Sequence, residues 1–209
     1  RISLHERYSS NPQGWFAWLC EQIDLDQVKN VLEVGCGNGQ LWKHAPDAVL
    51  QGKYICLSDA SGGMVHDAAV NIGNERKKYF DFRVLDCQKL PFPDGHFQRV
   101  VANHVLFYVQ NIAKALEENS RVLSEDGIFY CSTYGTGHMH EITELVKEFD
   151  PRISLSEVAL YKLFGLENGQ KLLEPYFSSV EKRMYDDSLW VDKPEPLLDY
   201  ILSCHGNQS

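Results

Sequence analysis

The segment Val31-Leu32-Glu33-Val34-Gly35-Cys36-Gly37-Asn38-Gly39 decides the fold of this chain. Val31, Leu32 and Val34 read as a buried strand, and the glycines that follow let the backbone turn tightly past a bound ligand. Their spacing carries the chemistry. Glycines stand at 35, 37 and 39, while Gln40 occupies the place where a dinucleotide-binding turn needs a third glycine to bring helix against strand and seat a pyrophosphate. A nucleoside-like ligand without a diphosphate suits this turn better.

Outward from the turn, strands are expected at about 30–34, at 54–57 running into Ser58-Asp59, at 80–85 ending on Asp86, at 97–103 and at 128–132. Helices are expected from Gln40, near 61–72 and over 109–123, where Ile112, Ala113, Leu116, Ser120 and Leu123 share one face. Gly127 supplies the turn before the fifth strand. This alternation predicts an α/β protein: a Rossmann-like, doubly wound, mostly parallel sheet with helices on both faces. Ahead of it, after a polar opening, Trp15, Phe16, Trp18, Leu19 and Ile23 follow a helical rhythm and should cover the sheet edge or the ligand mouth. Behind it, 139–149 and 154–165 read as helices, Gly165 to Gly169 as a turn, 176–186 as a late strand and 194–204 as a helix.

The 209 residues suit a single domain with a sizeable core. With 20 basic and 29 acidic residues the net charge is −9, which argues against a broad phosphate-binding surface and so against nucleic acid. Six cysteines without a C-x-x-C pair, four of them in or beside apolar runs, read as free thiols in a reducing compartment. No apolar run approaches a membrane span and no signal peptide opens the chain, so a cytoplasmic location is expected. The start at Arg1 reads as a few leading residues removed or not represented.

In an open parallel sheet the ligand crevice lies beyond the carboxyl ends of the strands, where Glu33, Gly35, Asp59, Asp86 and Asn103 all fall. Asp59, after the second strand, can accept both hydroxyls of a ribose or cap the following helix. Asp86 can accept from an exocyclic adenine amine, with the Cys87 N–H on a ring nitrogen, or cap its own loop.

Four stretches in order, VLEVGCGNG at 31–39, LSDASGGM at 57–64, VLDCQKLPFPDGHFQRVVANHVLFYV at 84–109 and RVLSEDGIFYCST at 121–133, resemble a class I S-adenosylmethionine-dependent methyltransferase. The likeness covers about residues 28–133 and points to the small-molecule group that includes ubiquinone-biosynthesis C-methyltransferases. It implies S-adenosylmethionine as cofactor and S-adenosylhomocysteine as product. By the same resemblance Glu33 and the turn of Gly35, Cys36, Gly37 and Gly39 hold the amino-acid end, and Asp59 takes the ribose with Ala60 and Met64 beside the adenine. Asp86 and Cys87 meet the adenine edge, Asn103 serves the methionine side, and His104 opens the segment that faces substrate. Two departures stand out. Gln98-Arg99 replaces the family's frequent aspartate, and only 176–186 answers to the family's closing antiparallel hairpin, so its final strand is expected to be missing from this chain.

The expected organisation is one methyltransferase domain over 1–209: an N-terminal helical lid (1–27), the cofactor core (28–133) and a substrate-side and C-terminal region (134–209). Methyl transfer needs mainly alignment, because the sulfonium already carries an activated methyl. His104 is the first candidate for a general base or a positioning group, followed by His138 and then His140 on a glycine-flanked loop. Tyr8, in a polar loop setting, offers a hydroxyl to the cofactor carboxylate or over the methyl group. Tyr8, Trp15, Phe16 and Trp18 can supply a lid, with Trp18 also reading as plain core, and Phe107, Tyr108, Tyr134 and Tyr161 can line a cavity for a small, partly apolar acceptor. No metal is expected, since His138, His140 and Glu141 lack further ligands nearby. The expected partner is a small-molecule methyl acceptor, with no membrane, in a monomer or homodimer. The rivals are an RNA or protein methyltransferase and a non-catalytic S-adenosylmethionine-binding protein; Gln40 leaves a dehydrogenase last.

Overall fold

The central strand is β1 (Asn30–Val34), which pairs in parallel with β2 (Tyr54–Asp59) on one side and β4 (Phe97–Asn103) on the other. β3 (Phe80–Val84) adds beyond β2 and β5 (Leu123–Ser132) beyond β4, so the sheet runs β3-β2-β1-β4-β5 with every pairing parallel. The structure is a computed structural model and describes residues 2–204 apart from 154, 156 and 157. Around the sheet lie α1 (Ile2–Tyr8), α2 (Trp15–Gln22), α3 (Gln40–His44), α4 (Asp47–Leu50) and α5 (Gly62–Ile72). They are followed by α6 (Ile112–Val122), α7 (His140–Phe149), α8 (Leu160–Leu163), α9 (Gly169–Leu173) and α10 (Pro194–Leu202).

Successive side chains of a strand point to opposite faces. Val31, Ile55, Leu57 and Val101 therefore enter one core layer with Leu19 of α2, Leu41 and Trp42 of α3, and Ala68 and Ile72 of α5. Leu32, Val34, Cys56, Val100 and Ala102 enter the other with Leu116 and Val122 of α6, Phe164 and Leu173. Burial on both faces is what a parallel sheet requires, and it makes the strands read as near-continuous apolar runs. In α5 the Ser61 hydroxyl accepts from the Met64 N–H at 3.3 Å, Val65, Ala68 and Ile72 form the buried stripe, and Gly73 at φ 86° ends the helix. The strand order reverses at β1, between β2 and β4, and that switch point opens the crevice at the carboxyl ends of these strands.

Five expectations are corrected. α6 begins at Ile112 and buries Ala115, Leu116, Glu118, Asn119 and Val122, leaving Ala113 exposed. Polar side chains can face inward there because they are paired: Glu118 accepts from the Leu90 N–H at 2.8 Å and from Arg121, and Asn119 donates to the Ala115 carbonyl at 2.7 Å. The late strand at 176–186 does not form. Phe177 stacks on Phe129 at 5.0 Å, whereas Tyr185 packs between Trp15 and Trp18 on the opposite face, so the segment wraps past β5 through side chains, without a ladder. An isolated antiparallel bridge, Ser9 to Leu189, follows just beyond the segment. Of the helix expected over 154–165, residues 154, 156 and 157 lie outside the described residues, and only Leu160–Leu163 is helical. Finally, the polar opening is the helix α1, and Tyr8 is its last residue and not part of a loop. Gly127 falls where β5 shifts register against β4, so strand assignment runs through the expected turn.

Candidate active site

The glycine turn is held in the left-handed region at three positions, Gly35 (φ 68°), Gly37 (φ 53°) and Gly39 (φ 76°), each for a different reason. A side chain at Gly35 would collide with Val105, which enters from the loop after β4. One at Gly39 would lie 3.1 Å from Ala68 Cβ and 3.2 Å from its Cα, so this glycine lets α5 pack against the turn. One at Gly37 would meet nothing within 4 Å and would project into the cleft. The Cys36 N–H donates to the Ser58 carbonyl at 2.8 Å and ties the turn to β2.

Asp59 completes the loop. Its Oδ2 accepts from the Gly37 N–H at 3.0 Å and its Oδ1 from the Ser61 N–H at 2.9 Å. The cap of α5 is Ser61, so Asp59 spans the two loops instead of capping the helix.

Together these loops bound a cleft of about 280 Å³, close to the lower end for small-molecule sites. Its lining contains the carboxylates of Glu33 and Asp59, the amide side chains of Asn38, Gln40 and Asn103, and no Lys or Arg. Phe16, Leu41, Met64, Val105 and Tyr108 supply the apolar wall.

Period-two alternation puts Glu33 on the same face as Val31, in the layer beneath α3. It is 1 % exposed, and its Oε2 accepts from the Trp42 Nε1–H at 2.6 Å. Burial pushes its carboxyl up to about 8, against the pull of the Trp42 bond and with a smaller push from Asp59. No cation is among its hydrogen-bond or ion-pair partners in the described residues. A buried carboxyl of this kind beside an open cleft fits a ligand that brings its own positive charge.

At the other end of the cleft, Asn103 and His104 close β4. Ser132, at the end of β5, donates from Oγ to Asn103 Oδ1 at 2.5 Å and accepts from the His104 N–H at 3.0 Å. This pairing holds His104 at φ 53°, a conformation uncommon for a residue with a side chain. Aromatic rings enclose the imidazole: Trp15 at 5.3 Å, Phe107 at 6.1 Å and Tyr134 at 6.3 Å. Beyond Tyr134, His138 stacks parallel to His5 at 6.0 Å. Burial pushes His104 and His138 down to about 4, with His5 and His138 adding mutual repulsion, so both rings are neutral at pH 7.

The structure thus gathers Glu33, Gly35, Cys36, Gly37, Asp59, Met64, Asn103 and His104 around one cleft. Gly39 stands behind it as a packing position, and Ala60 follows Asp59 as an exposed residue. Asp86 lies outside the lining, exposed, accepting from the Gln88 N–H at 2.8 Å in the loop-capping arrangement, and Cys87 packs toward the second core layer. His138 reaches the site only through Tyr134 and His104. Tyr8 is not brought to the cleft: it lines a separate groove between α1 and α10 with Arg7, Pro196 and Asp199. Trp42, Ser132, His5 and Tyr185 were not singled out by sequence. Trp42 lies two residues past the Gln40 of the motif, and Ser132 ends the fifth apolar run; the other two carry no local signal.

The five-stranded parallel sheet, with an acidic, glycine-floored cleft at its switch point, has the Rossmann-like fold of class I methyltransferases. Residues 32–131 match a family described as a methyltransferase domain. Over 112 residues the chain is 30% identical to malonyl-[acyl-carrier protein] O-methyltransferase of Geobacter sulfurreducens, covering 54% of this chain and 41% of that protein. Over 113 residues it is 32% identical to sterol 4-C-methyltransferase of Caenorhabditis elegans, covering 53% of this chain and 33% of that one. The YcgJ protein of Bacillus subtilis shares the fold at TM-score 0.55 and 19% identity, over 77% of this chain and 66% of that one. The chain therefore spans less than half the length of these two curated relatives. No described helix is long and apolar enough to cross a membrane, and no described cluster of His, Cys, Asp and Glu could hold a metal ion.

Proposed function

We propose that this protein transfers the methyl group of S-adenosylmethionine to a small-molecule acceptor. The observation that carries the reading is the lining of the cleft: two acidic side chains, Asp59 and the proton-holding Glu33, with no Lys or Arg. A phosphate chain finds no cation to pair with there, whereas a nucleoside carrying ammonium and sulfonium charge meets Asp59 and can draw the proton off Glu33. When bound, that cofactor supplies an activated methyl group, and the protein has chiefly to align it. Glu33 meets the positive amino-acid end, the open side of Gly37 admits close backbone approach, and Asp59 takes the ribose hydroxyls with Met64 beside the base. Asp86 and Cys87 bound the adenine edge, although they lie outside the present lining.

His104 stands where the acceptor meets the cleft. Its lowered basicity suits a neutral imidazole that orients the acceptor by a hydrogen bond better than a base for a weakly acidic one. α1 and α2 form the lid of the site, and residues after 134 complete its acceptor side. One relative is named for methylating oxygen on an acyl-carrier substrate and another for methylating carbon on a sterol, which supports a small acceptor and leaves the reacting atom open.

The test is calorimetric titration with S-adenosylmethionine and S-adenosylhomocysteine, with NAD as control, repeated on Asp59→Ala. Micromolar binding of both sulfur nucleosides, weakened roughly 10- to 100-fold in the variant by loss of charge-assisted hydrogen bonds, is expected. Absence of binding by the folded wild-type protein overturns the proposal.

A further inference from the structure

Two buried hydrogen-bonding groups beside the cleft have no partner among the described residues: the Trp15 indole N–H and the Tyr185 hydroxyl. They belong to one cluster. The Trp15 ring lies 5.3 Å from Tyr185, edge-on, and 5.3 Å from His104; Trp18 backs both, at 5.4 Å from Trp15 and 5.3 Å from Tyr185. His104 in turn lines the cleft beside Asn103 and Gly35. An unpaired buried donor costs about 1–3 kcal/mol, so two in contact call for a reason. Burial pushes the Tyr185 hydroxyl up, and the nearby Ser9 hydroxyl already donates to Asp187, so Tyr185 stays protonated and able to donate.

We infer that this corner is the acceptor subsite and that it takes an anionic oxygen acid, a carboxylate or stabilised enolate on a flat apolar body, held by Trp15 Nε1–H and Tyr185 Oη–H. The inference rests on the methyltransferase reading above. Both free groups can donate to an acceptor oxygen, and neither can accept the strong donors of an ammonium group as a carboxylate would. The flanking rings of Trp18, Phe107 and Tyr134 suit a flat apolar body. Neutral histidines of low basicity cannot prepare a weakly acidic hydroxyl, but an acceptor already ionised in solution needs no base.

The step then balances without proton transfer. An oxygen lone pair of the acceptor forms the new O–CH₃ bond while the C–S bond breaks and its electron pair goes to sulfur. The anion and the sulfonium become a neutral methyl ester or enol ether and a neutral thioether. Loss of two opposite charges is favoured in a desolvated, aromatic-walled site.

The experiment titrates the protein, saturated with S-adenosylmethionine, with benzoate, benzyl alcohol and benzylamine, three probes of similar shape and different charge. Calorimetry should show benzoate binding at least about tenfold more tightly than the other two. Trp15→Phe and Tyr185→Phe, each removing one donor and keeping its ring, should each weaken benzoate by about 5- to 20-fold with cofactor affinity unchanged. Circular dichroism checks the fold, and either variant suffices if the other does not fold. Benzylamine binding as tightly as benzoate, no binding of benzoate, or folded variants that bind it like the wild type would overturn the inference; the last would mean that water satisfies both groups. Failure of the wild-type protein to bind the cofactor would instead overturn the methyltransferase reading.

Discussion

At the residue scale, Glu33 is the most informative side chain in the cleft. Its sequence context marks it as the carboxylate between two apolar residues at the end of a strand. What sequence does not show is its partner, because Trp42 reaches it only once α3 has folded back over β1. An acid raised from 4.5 to about 8 holds its proton in the folded state and loses it in the unfolded one. Its contribution is therefore full below pH 4.5 and is lost as the pH rises toward 8. Glu33→Gln, which keeps the shape and an oxygen for Trp42, should gain thermal stability over the wild type between pH 5 and pH 8. The gap should reach several degrees, at roughly 2–4 °C per kcal/mol for a chain of this size, read by differential scanning calorimetry at each pH. Cofactor affinity should respond in the opposite sense. It should rise with pH up to about 8 in the wild type, as the carboxyl ionises, and lose that rise in the variant.

At the scale of elements, the order of strands and main helices through residue 132, the short α4 apart, was legible because each burial pattern is local: strands of five to ten residues built on apolar runs, with amphipathic helices between them. The same reading fails wherever burial is decided at long range. In α6 the buried stripe includes Glu118 and Asn119, which only their partners at Leu90, Arg121 and Ala115 make tolerable. In 176–186 the apolar residues serve two faces of the sheet in turn, and their alternation imitates a strand. The glycines offer a contrast that tests the assignment of roles. Gly39→Ala forces a methyl against the α5 backbone in a left-handed conformation and should cost about 2–4 kcal/mol of stability, seen as an earlier urea midpoint. Gly37→Ala shares the backbone penalty alone, about 1–2 kcal/mol, yet its methyl enters the cleft and should abolish nucleoside binding in a protein that still folds.

At the scale of the whole molecule, segments near the two ends of the described chain are fastened to each other. Asp187 accepts from the Ser9 hydroxyl at 2.8 Å and from the backbone N–H groups of Ser10 and Asn11 at 3.1 Å. The Ser10 N–H donates to the Ser188 carbonyl and the Trp190 N–H to the Tyr8 carbonyl, both at 2.8 Å. This clasp presses α2, with Trp15 and Phe16, against His104 and the cleft. No local pattern announces it, since its partners stand 176 to 182 residues apart. Asp187→Ala should leave the sheet intact and loosen the clasp. Hydrogen exchange at the Ser10 and Trp190 amides should quicken about tenfold or more, while amides of β1 and β4 keep their protection.

The missing basic residues of the cleft also bear on competition. Any cell holds adenine nucleotides with phosphate chains in large excess over most other adenosine derivatives. A seat floored by glycine alone would admit them all through the shared base and ribose. Asp59, the ionisable Glu33 and the absence of Lys and Arg turn that seat into a sieve: a polyanion finds no partner, whereas a cation draws the proton off Glu33 and is held. Under the proposed function the cleft would favour its nucleoside over a crowd of close relatives, a selectivity that comes from two acidic side chains and from what was left out around them.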